Sequence, residues 1–121
     1  MEKLPLEKII ERLEKLDIRE WRYTYEAPFS GSFLIVETNG LRFSIAKRGF
    51  TRRMEDTLKY SMFVEDAGDE ITNDCFVEYI FDKKNKPQRE ILDKFYEKTL
   101  TSLKEYKEKT IKEKLNDFVL E

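Results

Sequence analysis

Four cations crowd into the seven residues Lys47-Arg48-Gly49-Phe50-Thr51-Arg52-Arg53, around one glycine and one aromatic ring. Charge-assisted hydrogen bonds from such a loop can hold a phosphate, and Phe50 offers a face on which a base can stack. Arg22 and Arg42 extend the patch if they share the solvent side of the same sheet. Arg42, Lys47, Arg48, Phe50, Arg52 and Arg53 are therefore the candidate site for a nucleic acid or a nucleotide. Two features weigh against it. The four glycines of the chain are scattered and build no phosphate-cradling fingerprint. An acidic segment follows directly, and ion pairs with it satisfy the same arginines.

Catalysis has little to work with. The 121 residues contain no histidine and one cysteine, Cys75, which removes the usual general base, the commonest metal ligand and every Ser-His or Cys-His pair. Glu55-Asp56 with Lys59 superficially resembles the acidic and lysine elements of metal-dependent nucleases but lacks their wider pattern. Cys75 lies among apolar neighbours, where a thiol usually behaves as a small hydrophobe. Glu65, Asp66, Asp69, Glu70 and Asp74 could offer oxygen ligands to a hard cation, yet their spacing matches no EF-hand loop and a polar turn explains them. The expectation is a protein without catalytic residues, metal or cofactor.

Aromatic side chains supply a third kind of surface. Trp21, Tyr23 and Tyr25 alternate with polar residues and could stack bases on a sheet; filling a core is the simpler use, because a two-layer fold needs such a face. Phe33, Ile35 and Phe63 fall on the opposite side of the same strands. If exposed, they form a patch that marks an interface. With Leu103, Tyr106 and Ile111 of the C-terminal helix, they are the candidate residues for protein contact.

The elements that position these groups follow from periodicity. Leu6, Ile9, Ile10, Leu13 and Leu16 recur at helical spacing after Pro5, predicting a helix of about three turns. From Arg19 the period becomes two. Asn39-Gly40 between two β-rich runs predicts a type I′ hairpin, since both central residues need positive φ. That turn sets a register: Thr38 opposite Leu41, Glu37 opposite Arg42, Val36 opposite Phe43, Leu34 opposite Ile45. Leu34, Val36, Leu41, Phe43 and Ile45 then share the core face. Leu58 to Glu65 alternates again, and Asp66-Ala67-Gly68-Asp69 reads as a turn. Residues 75–82 fit a strand or a helical face, with their aromatic and β-branched content favouring the strand. After Pro87, Ile91, Leu92, Phe95, Tyr96, Leu100, Leu103, Ile111, Leu115 and Phe118 follow helical spacing, with a bend or stop expected near Lys109-Thr110.

The fold expected is α+β in one domain over 1–121. It comprises an N-terminal helix (1–18), an antiparallel meander of four or five strands (19–82) and a long C-terminal helix (87–118), both helices on one face of the sheet. Nine Phe, six Tyr and one Trp supply enough apolar area for a folded core. Charged residues reach 40%, against roughly 25% in typical proteins, while the net charge is only −2. The charge is uneven: residues 21–53 carry six basic and two acidic side chains, residues 54–82 one basic and nine acidic. A lone cysteine, the lack of a signal-peptide pattern and the lack of a long apolar run point to the cytoplasm, away from membranes. The function expected is a binding or regulatory module that meets a protein partner or itself through the sheet or the long helix; the alternative is the nucleic-acid or nucleotide reading of 47–53.

Overall fold

A computed structural model describes residues 5–26, 31–48, 59–68 and 77–120. Helix α1 (Leu6–Leu13) leads through a 3-10 turn (Ile18–Glu20) into strands β1 (Arg22–Glu26), β2 (Gly31–Thr38), β3 (Leu41–Arg48), β4 (Lys59–Asp66) and β5 (Val77–Phe81). A second 3-10 turn (Lys83–Asn85) then opens helix α2 (Lys86–Leu120). The sheet is an antiparallel meander in the order β1-β2-β3-β4-β5, and both helices pack on one face of it.

Helix α1 is shorter than its apolar spacing predicts. After Leu13 the backbone tightens, with Lys15 N–H bonding Arg12 and Leu16 N–H bonding Leu13. Asp17 then redirects the chain, its carboxylate accepting the Arg19 backbone N–H at 2.9 Å and so capping the 3-10 turn. Leu16 and Ile18 still pack against the core from this bend.

The hairpin has the register its turn chemistry demands: Thr38↔Leu41, Glu37↔Arg42, Val36↔Phe43 and Leu34↔Ile45 are partners. Asn39 and Gly40 hold φ of 53° and 73°, as a type I′ turn requires. Leu34, Val36 and Ile45 are fully buried and Phe43 nearly so, whereas Leu41, beside the turn and beyond the main helix contacts, is exposed. A Cβ on Gly40 would meet no atom within 4 Å, so substitution there is opposed by the backbone alone. Gly40→Val is expected to cost about 1–2 kcal/mol, read as a lower denaturant midpoint at unchanged slope.

Within the ambiguous stretch 75–82, residues 77–81 form a strand, and β4 begins at Lys59. Cross-strand rows carry the core face outward from the hairpin: Leu34, Ile45, Met62 and Tyr79 lie side by side, as do Lys47, Tyr60 and Phe81. Leu6, Ile10 and Leu13 of α1 and Leu92, Phe95, Tyr96 and Leu103 of α2 close over them. Trp21 immediately precedes β1 rather than alternating within it. It is 2% exposed and meets Phe95 edge-on, with ring centroids 5.6 Å apart.

Helix α2 runs unbroken for 35 residues, about 52 Å at 1.5 Å per residue. It does not stop at Lys109-Thr110; there the Thr110 hydroxyl donates to the Tyr106 carbonyl at 2.9 Å, a bond the continuing helix accommodates. No helix among the described residues is long and apolar enough to cross a membrane.

Candidate functional site

The expected phosphate-binding set does not assemble into one patch among the described residues. Strand parity separates its members. Arg42 lies on the helix-free face, where it bonds Glu37 (3.0 Å) and Glu65 (3.0 Å), and Arg22 bonds the same Glu37 (3.3 Å). This ladder ties β1 to β4. The Glu65 and then the Glu37 hydrogen bonds raise the Arg42 guanidinium further above its ordinary pKa, so Arg42 is a fixed cation already held by two carboxylates. Arg48 ends β3 beside Lys59. Phe50, Arg52 and Arg53 lie outside the described residues, as do Glu55, Asp56, Cys75 and most of the acidic stretch.

Lys47 points the other way, under α2. Its ammonium pairs with Glu97 and sits 5.9 Å from the ring centroids of both Tyr60 and Tyr96, within cation–π range. Those two rings meet edge-on at 5.5 Å. The Tyr60 hydroxyl donates to Asp93, and burial first, with that bond second, pushes the phenol above its ordinary range. Tyr60 is thus a neutral donor at any working pH. The four polar groups Lys47, Tyr60, Asp93 and Glu97 satisfy one another and clamp α2 to the sheet. Sequence spacing hides this cluster, since Glu97 lies fifty residues beyond Lys47.

The expected contact residues divide as well. On the helix-free face, Ile35 neighbours Ser44, then Phe63, and Phe33 neighbours Ala46, then Ser61 and Ile80. Phe33, Ile35 and Phe63 are half-buried and Ile80 is exposed. Leu103 belongs to the core at 2% exposure, so its side chain is spent on packing. Tyr106 is half-buried and Ile111 is exposed.

Two concave surfaces border the helices. One, of about 520 Å³, lies between α1 and the β2–β3 hairpin, with Ile9, Leu16 and Leu41 as its apolar lining and Lys8, Arg12 and Lys15 along one flank. The other, of about 490 Å³, lies where α2 leaves the sheet beside β1. Tyr23, Leu100, Leu103 and Ile111 form its floor, and Lys104 and Lys107 its rim.

Beyond this second groove α2 has no companion among the described residues. Residues 89–103 supply its buried positions, and every residue from Ile111 to Leu120 is exposed. Yet that segment is not polar. Ile111, Leu115 and Phe118 are 63%, 56% and 75% exposed, and together with Leu100, Lys104 and Lys107 they recur at three- and four-residue steps along one stripe. Leu115, Phe118 and Tyr23 were absent from the contact residues expected above. The spacing from Leu100 to Phe118 carries the signal, once it is known that the stripe leaves the sheet.

Among the described residues no group of His, Cys, Asp or Glu is arranged to hold a metal. No protein-family model matches the chain, and comparison with curated proteins and with solved structures finds no match.

Proposed function

We propose that this protein is a non-catalytic cytoplasmic binding module whose working surface is the projecting half of α2 together with the groove at its root. The observation that carries this reading is the exposure of Ile111, Leu115, Phe118 and Val119 on a helix that continues for nearly five turns past its last buried position, Leu103. Short isolated helices are marginal in water, and most helical stability in proteins comes from burying an apolar face. A stripe of this kind therefore has its use in contact with another chain. The groove floor of Tyr23, Leu100 and Ile111 continues the same apolar surface back to the sheet.

The alternative, a phosphate-binding loop, has less support. Of its described cations, Arg42 and Lys47 are paired with carboxylates and face opposite sides of the sheet.

A photo-crosslinking residue placed at Leu115 or Phe118, in the protein expressed in its own cells, tests the proposal. It should give a discrete protein adduct, whereas the same residue at Lys109, off the stripe, should give none. Equal labelling from all three positions, or none from any, would overturn it.

A further inference from the structure

The projecting stripe and the groove at its root fit one another, and we infer that the partner is a second copy of this chain, paired antiparallel through α2. This rests on the reading of the projecting half as the working surface and names what covers it. Ile111 divides the stripe. Seven residues after it stands Phe118, about 20° short of two full turns of helix and so on the same stripe; seven residues before it stands Lys104, on the rim of the groove. A two-fold axis passing at Ile111 therefore sets each Phe118 opposite Lys104 of the other copy, and each Leu115 opposite Lys107. The Phe118 ring then enters the groove floored by Tyr23, Leu100 and Leu103. One surface supplies both the projection and the recess, as an isologous interface requires.

Charge agrees with that arrangement. Lys104 and Lys107 can lay their alkyl stems along the Phe118 ring while their ammonium groups stay in water. Asp117, adjacent to Phe118, would arrive on the side of Lys107. No ion pair is formed by Lys104, Lys107 or Asp117 among the described residues, so these charges are available to a second copy. A parallel pairing would instead set Lys104 against Lys104 and Lys107 against Lys107, which like-charge repulsion opposes.

The size of the contact sets its strength. The segment 104–120 is about 25 Å long, and two such helices side by side bury on the order of 1,000 Å² in total, near the lower limit for a specific interface. The dimer should accordingly dissociate at roughly micromolar concentration.

Sedimentation equilibrium or light scattering on the full chain, from about 1 µM to about 300 µM, tests this. The mass should rise from 14.6 kDa towards twice that value. Phe118→Glu should hold it at 14.6 kDa throughout, and at concentrations where the parent is monomeric it should leave the thermal midpoint unchanged, because Phe118 touches nothing in the core. Lys107→Glu should weaken dimerisation at least tenfold, and Lys107→Glu with Asp117→Lys should restore it. A constant monomer mass at every concentration, or a dimer indifferent to Phe118→Glu, would overturn the inference. A constant mass together with a crosslinked adduct from Phe118 would leave the binding surface standing and give it a different partner.

Discussion

Trp21→Ala should destabilise the protein by about 3–5 kcal/mol, the cost of deleting a large aromatic from a closed core. Trp21 is 2% exposed, and its ring stands edge-on to Phe95 of α2. It also lies between the 3-10 turn and β1, so it is the point where the N-terminal chain is held to both layers. A domain of this length has about 6–18 kcal/mol of stability in all, so the loss removes a large share of it. The thermal midpoint, followed by far-ultraviolet circular dichroism, should fall by about 10–25 °C. Trp21→Phe keeps a ring against Phe95 and should recover most of the loss. A midpoint for Trp21→Ala within a few degrees of the parent would show that Trp21 does not join the layers.

Tyr60→Phe should cost about 1.5–3 kcal/mol, the value of a hydrogen bond to a charged group. The change deletes one oxygen and leaves the ring, its contact with Tyr96 and its cation–π partner Lys47 in place. What it abandons is the Asp93 carboxylate, left partly buried on α2 without the phenol that solvates it. Asp93→Asn retains an acceptor for the hydroxyl and should cost less than Tyr60→Phe. Chemical denaturation of the two variants beside the parent gives the comparison. If Tyr60→Phe falls within 0.5 kcal/mol of the parent, the polar cluster is not what holds α2 to the sheet.

Where the physics is local, the chain announces its structure. Asn39-Gly40 sets the hairpin register because positive φ at two successive positions admits few residues and only one strand offset. The two helices follow from their spacing, and the strand at Val77–Phe81 from its aromatic and β-branched residues. The ends of elements were less legible. Leu41 has the right parity for the core but sits beside the turn, outside the cover of the helices, and α1 ends at Leu13, where the chain tightens towards the 3-10 turn that Asp17 caps. Lys47 illustrates the harder failure. In sequence it belongs to a basic loop, yet β3 extends through Arg48, and that extension turns Lys47 under α2 to Glu97. No spacing rule links residues fifty apart. Leu103 and Ile111 share one helical pattern, and only the point at which α2 leaves the sheet makes the first a core residue and the second a surface one.

Helix α2 seals the core with its first half and leaves its second half exposed; on the proposed reading, that second half is the binding surface. Amide hydrogen exchange along α2, at dilute and at high protein concentration, measures that division most directly. Amides of residues 92–103 should exchange only through global unfolding at either concentration. Those of residues 108–120 should exchange far faster in dilute solution and slow as concentration rises. Uniform protection along the whole helix in dilute solution, unchanged by concentration, would contradict it.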